Sequence, residues 1–172
     1  MYWFVGLIGL LVLIGIVVIV IGNFLPEQHV ASKTLTLKQS PETVWQVITD
    51  FANQPKWHPD VKSVERLPDR NGHAVWQEEM SGMKIPLETL ETEAPKKLVR
   101  RIASDDLGFG GDWEYIITPT IEGGCQLTVT ERGKVPNPLF RFLSKYVFGQ
   151  TATIEKYLKA LAGKFDESPV IR

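Results

Sequence analysis

The chain opens on a run that holds no charged side chain as far as Leu25. Residues Tyr2 to Ile21 are almost wholly Val, Ile, Leu, Gly and aromatic. An α-helix rises about 1.5 Å per residue, so some twenty residues span roughly 30 Å, the thickness of a bilayer's hydrocarbon core. All 19 Lys and Arg and all 20 Asp and Glu come after this run. The pattern predicts one transmembrane anchor over residues 1–25, a linker over 26–32 that contains Pro26, one water-soluble domain over 33–166 and a tail over 167–172. A cleaved signal peptide is the competing reading. It fits poorly, because there is no basic n-region, the run exceeds the ~7–15 apolar residues of an h-region, and no A-x-A site follows. Lys33 and Lys38 on the far flank tilt the expected topology toward a cytoplasmic soluble domain. A single cysteine, which allows no internal disulfide, points the same way.

About 147 residues follow the anchor, enough for one domain with its own core. Net charge is −1, and no basic cluster stands out. Neutralising a phosphate backbone takes concentrated Lys and Arg, so a nucleic-acid partner is excluded.

Periodicity orders the soluble part. Val30–Gln39 alternates like a strand, with Leu35 and Leu37 on one face. Ser40-Pro41-Glu42 reads as a helix start: Ser40 caps, Pro41 takes the first position and Glu42 complements the dipole. Val44, Val47, Ile48 and Phe51 then recur at helical spacing. Pro55 and Pro59 break the next stretch. Six strands follow: Val61–Leu67, His73–Met80, Lys84–Thr92, Lys97–Ser104, Gly111–Pro119 and Cys125–Lys134. Their short connections favour antiparallel pairing, and Pro86 assigns its strand to an edge. Asn137-Pro138 opens a second helix whose apolar stripe runs to about Lys164, with a bend expected at Gly149. Strands flanked by helices make an α+β domain. If the sheet curls beneath the last helix, a void is left between them, a natural apolar ligand cavity.

Ser40-Pro41-Glu42-Thr43-Val44-Trp45, then Thr49-Asp50-Phe51, then Trp57-His58-Pro59, resembles the opening of the START-like (SRPBCC) superfamily, which includes the polyketide cyclase/dehydrase and coenzyme Q-binding families. Gly124–Glu131 followed by Asn137–Leu161 is similar to their last strand and closing helix. The resemblance covers roughly Ser32 to Lys164. It implies a helix-grip fold, with a curved antiparallel sheet of about six to seven strands around a long C-terminal helix and a hydrophobic cavity between. It implies no single activity, because the superfamily holds carriers, cyclases, oxygenase domains and chaperone activators.

Few residues carry obvious chemistry. Cys125 stands beside Leu127 and Val129 and reads as a small core hydrophobe. His29, His58 and His73 share no metal-ligand spacing, and neither a metal nor a cofactor is expected. Trp57 and His58 sit in a proline-bounded loop: either Trp57 plugs the core and His58 faces water, or both stand at a cavity mouth. Strand parity puts Trp76, Glu78 and Met80 on one face, Leu98, Arg100 and Ile102 on another, and Trp113, Tyr115 and Ile117 on a third. Arg100 among apolar neighbours needs a partner, and Glu131 has the parity for it; the alternative leaves both in water beyond the rim. Phe142 and Tyr146 lie on the stripe of the last helix. The expected ligand-binding set is therefore Trp57, His58, Trp76, Met80, Arg100, Trp113, Tyr115, Phe142 and Tyr146, with no catalytic residue assigned.

Three functions fit. The first is a membrane-anchored binding protein for a hydrophobic small molecule such as a lipid, quinone or polyketide-like compound. A cyclase/dehydrase-type enzyme would use the same cavity, with His58, Tyr115 or Arg100 polarising a carbonyl. A membrane-tethered regulatory or chaperone-like module would instead show an exposed apolar patch.

Overall fold

The computed structural model describes residues 2–172, apart from the side chains of Tyr2 and Val5. Helix α1 (Tyr2–Phe24) contains the apolar run. Its stretch Gly6–Phe24 is long and apolar enough to cross a bilayer, and its side chains face outward rather than into the domain. Strand β1 (Gln28–Leu37) begins only three residues after α1 ends.

The β1–α2 junction forms as local chemistry dictates. Ser40 Oγ accepts a hydrogen bond from the backbone of Thr43 at 3.2 Å, and Pro41 opens α2 (Pro41–Thr49). Val44 and Ile48 bury one face of this helix. A 3₁₀ turn, Phe51–Lys56, follows. Then come β2 (Val61–Arg70), β3 (His73–Met80), β4 (Met83–Glu93), β5 (Lys97–Ile102), β6 (Gly110–Pro119) and β7 (Cys125–Lys134). The chain closes with α3 (Pro138–Leu143), a π-helical turn (Ser144–Phe148), α4 (Ala152–Lys164) and β8 (Val170–Ile171).

The expected sheet of six or seven strands curled around one long helix is corrected here. The described residues form an eight-stranded antiparallel sheet in the order β2-β3-β4-β5-β6-β7-β1-β8. That order has two free ends, β2 and β8, so the sheet is open rather than curled into closure. The eighth strand is two residues long, held to β1 by reciprocal backbone bonds between Thr34 and Arg172 at 3.0 Å. Two residues carry no readable alternation. The C-terminal helix is also not continuous. It breaks at Gly149, where φ is 81°, and the π turn before the break leaves only α4 lying against the sheet.

Pro86 does not mark an edge, since β4 lies between β3 and β5. Its carbonyl accepts from the backbone of Ala103, one residue past the end of β5. The missing N–H therefore falls where the ladder already ends, and no bond is lost.

The core lies between sheet and helices. Leu35, Leu37, Leu98, Leu127 and Val129 from the sheet meet Ile154, Leu158 and Leu161 of α4 and Val44 and Ile48 of α2. At about 1.5–3 kcal/mol per buried aliphatic side chain, this contact is the main stabilising term.

Candidate functional site

Within this apolar interior sits a buried ion pair. Arg100 lies on the inward face of β5 and Glu78 on the inward face of β3; both side chains are 4% exposed. Arg100 Nη1 donates to Glu78 Oε1 at 2.5 Å across the intervening β4. The guanidinium carbon stands 4.1 Å from the ring centroid of Phe51, a cation–π contact. Arg100 Nε and Nη2 have no hydrogen-bond partner, nor does Thr89 Oγ1, whose residue is opposite Arg100 in the β4–β5 register. Two guanidinium donors thus stand unmet in the interior. Buried donors of this kind are rare and ordinarily find an acceptor.

Aromatic rings border the pair. The 3₁₀ turn ends with Gln54 O accepting from Trp57 N (3.1 Å) and His58 N (2.9 Å), which sets both side chains toward α4. Tyr157 of α4 is the hub. Its ring lies 5.5 Å from Trp57, 5.7 Å from His58 and 5.6 Å from Tyr115, and Tyr115 continues to Trp113 at 6.3 Å. On the other side Phe51 meets Trp76 at 5.8 Å.

Burial sets the protonation of these groups. Desolvation holds the His58 imidazole below its usual pKa, against the opposing pull of Asp60 and Glu78. Its Nδ1 accepts from the backbone of Asp60 at 3.3 Å, which leaves the proton of the neutral ring on Nε2. The same desolvation raises Tyr115 and Tyr157, so both stay as neutral phenols. Glu131 is pushed up to about 7 by burial. It faces His29, whose Nε2 lies 3.7 Å from Glu131 Oε1 and whose own pKa is lowered by burial. The His29 ring rests directly on Gly133, where any Cβ would collide with it.

The expected residues divide between two places. Trp57, His58, Arg100, Trp113 and Tyr115 meet in the interior, joined through Tyr157 and Glu78, and Trp76 reaches the same region through Phe51. Met80 is half-buried at the end of β3, opposite Val61 and Met83. Phe142 and Tyr146 lie elsewhere, packed on each other as a tilted pair at 5.0 Å in the segment that begins beside α1. Arg100 does take a carboxylate partner, but it is Glu78 rather than Glu131. The only sequence signals for the other members were the parity of Glu78 with Trp76 and the place of Tyr157 on the apolar stripe.

A cleft of about 220 Å³ opens at the base of the domain, bordered by Leu25, Gln28, His29, Val135, Arg141 and Lys145. His29 borders the cleft and also contacts Glu131 of the inward face. Among the described residues no group of three His, Cys, Asp or Glu side chains is placed to hold a metal ion. Cys125 is fully buried, and its thiol is pushed up to about 11.

Residues 28–166 match the family described as polyketide cyclase/dehydrase and lipid transport. The chain belongs to this family, within the START-like SRPBCC superfamily. Solved structures with the same fold include a START superfamily protein from Mycobacterium smegmatis, 22% identical, with a TM-score of 0.62 over 80% of this chain and 97% of that one. A hypothetical protein from Helicobacter pylori is 14% identical, with a TM-score of 0.67 over 79% and 87%. The Zhui aromatase/cyclase from Streptomyces sp. R1128 is 16% identical, with a TM-score of 0.63 over 81% and 94%. At these identities the likeness is one of fold. No curated protein sequence matches the chain significantly.

Proposed function

We propose that this is a membrane-anchored binding protein for a hydrophobic small molecule, a lipid, quinone or polyketide-like compound, with its domain on the cytoplasmic side. The observation that carries this reading is the pair of unmet guanidinium donors on Arg100, fixed by Glu78 and Phe51 inside an aromatic wall. An apolar guest with one carbonyl or carboxylate oxygen satisfies both donors and leaves its hydrocarbon against Trp57, Trp113 and Tyr115. The family's description, which names lipid transport, supports the same class of guest. The base cleft beside His29 opens next to the end of α1, where a guest drawn from the bilayer would first meet the domain.

A cyclase or dehydrase reading draws on one further observation. His58 is a neutral imidazole, and its ring stands 5.7 Å from that of Tyr157, so an acid–base group faces the same interior.

The test is native mass spectrometry of the full-length chain reconstituted in nanodiscs of bacterial lipid extract. The expected result is one copy of an apolar, oxygen-bearing compound per chain. Replacing the pair with Glu78→Leu and Arg100→Met should weaken its retention roughly 10- to 150-fold, the worth of hydrogen bonds to a charged group. A compound recovered with unchanged mass fits carriage, and one that has lost water marks the dehydrase reading. A chain that stays empty in every lipid environment refutes both.

A further inference from the structure

We infer that the segment Pro138–Phe148 is a second membrane-contacting element, which lies in the headgroup layer beside α1 and presents its side chains to phospholipid. The inference rests on α1 being the anchor, and the experiment below separates the two.

The placement follows from one close contact. The apolar stretch Gly6–Phe24 has 19 residues, and at 1.5 Å per residue it fills roughly the whole hydrocarbon thickness. Gly22, in its last turn, therefore lies at the boundary between hydrocarbon and headgroups. The backbone of Pro138 packs directly on Gly22, so closely that any Cβ there would collide with the Pro138 carbonyl. Helix α3 thus starts at the depth of that boundary. A second tie holds it there. Arg141 donates from Nη1 to Leu25 O at 2.7 Å and from Nη2 to Pro136 O at 3.1 Å, binding the chain where it leaves α1. Asn137 caps α3 through Leu139 N and Phe140 N, so the segment is ordered from its first residue.

What the segment exposes fits that depth and no aqueous surface. Phe140, Val147 and Phe148 are 57%, 60% and 65% exposed, with Leu139 and Tyr146 also open. Five large apolar or aromatic side chains stand exposed within ten residues, on a segment whose first helix packs against α1. Soluble surfaces seldom keep such a patch uncovered. Lys145 stands over the Tyr146 ring at 5.5 Å, and a cation beside an aromatic ring is the pairing that headgroup regions favour. Water would leave this face uncovered, whereas a bilayer already surrounds the helix it adjoins. The occupant is therefore lipid.

The test places an environment-sensitive fluorophore on single cysteines in a Cys125→Ala background, with the full-length chain in nanodiscs of phosphatidylcholine and phosphatidylglycerol. The sites are Phe148→Cys and Phe140→Cys in the segment, Leu11→Cys in α1, and Ile121→Cys in the β6–β7 turn. Ile121 lies in the turn just past Pro119, the far end of the ten-residue β6, whose first residue Gly110 pairs with Lys134 opposite Gln28 near α1, on the order of 30 Å away. Lipids carrying doxyl groups quench only labels that touch lipid. The expected result is quenching at 148, 140 and 11, with none at 121. Quenching at 11 but not at 148 or 140 overturns the inference and leaves the anchor standing. No quenching at 11 overturns the anchor itself, and the inference with it. A blue-shifted label at 148 that doxyl lipid does not quench means that protein, such as a second copy of the chain, covers this face, and also overturns it. Two labelled sites in the segment guard against one substitution disturbing the fold.

Discussion

Replacing Glu78 by Gln isolates the most demanding interaction in the domain. Both side chains of the Glu78–Arg100 pair are 4% exposed, and Glu78 is the hydrogen-bond partner of the guanidinium. Removing one member of a dry ion pair costs about 3–5 kcal/mol, because the survivor is left as an uncompensated buried charge. The cation–π contact with Phe51 remains and is worth only about 0.5–2 kcal/mol, too little to take over. Arg100 Nε and Nη2 already lack partners, so no second acceptor stands ready. A loss of roughly 4 kcal/mol is expected, which lowers Tm by about 8–16 °C for a chain of this size. Thermal unfolding of the full-length protein in detergent, stripped of bound lipid, reads this directly. Trp113, opposite Arg100 in the β5–β6 register, and Trp76, against the Phe51 ring that meets Arg100, report by fluorescence. The double variant Glu78→Leu with Arg100→Met exchanges the charges for apolar volume and should melt within a few degrees of the wild type. The reasoning fails if Glu78→Gln shifts Tm by less than about 2 °C, since the pair would then be solvated. It fails equally if the double variant is as unstable as the single one, because unpaired charge would not then be the cause.

Two further predictions concern single groups. Glu131 holds its proton up to about pH 7 in the folded chain against an ordinary value of 4.5. Below 4.5 both states are protonated. Between about 4.5 and 7 only the folded state keeps the proton, so stability falls as pH rises, by roughly 3 kcal/mol once above 7. His29, the facing group, is neutral over the upper part of that window because burial lowers its pKa. Glu131→Gln should abolish this slope in urea unfolding, raising stability near pH 8 and leaving it little changed near pH 4.5; a slope that survives the substitution assigns it to another group. Ser40→Ala removes the oxygen that accepts from Thr43 N and should cost about 1 kcal/mol in the same assay, whereas an unchanged urea midpoint would show that water satisfies that N–H equally well.

Much of the fold was legible because its elements announce themselves locally. Strands His73–Met80 and Cys125–Lys134 coincide with the alternating segments bounded by turn residues, and α2 and α3 start at the cap-then-proline pairs. What escaped notice depends on distance along the chain. Glu78 and Arg100 are 22 residues apart and meet across β4, a juxtaposition that only the register of three strands fixes. Glu131 shares the parity and is equally two strands away, past β6, but it faces His29 instead. Tyr157 reads as one more member of an apolar stripe, and its place as the ring that three other aromatics touch exists only once α4 is docked. The break in the last helix was signalled by Gly149, but the π turn before it has no residue-level signature. Phe142 and Tyr146 read from sequence as part of one apolar stripe continuing through the bend at Gly149, but the segment before the break packs beside α1 instead.

The open sheet leaves β2 with a free flank, and tethering makes that flank consequential. Chains confined to a surface share one orientation and meet at high effective concentration, the circumstance in which bare strands zip together into fibrous stacks. β2 answers with Lys62, Glu65, Arg66, Asp69 and Arg70 along its length, Pro68 within it, and irregular register at both of its ends. On a crowded leaflet these features work against one route of association, the zipping of neighbouring chains flank to flank along β2.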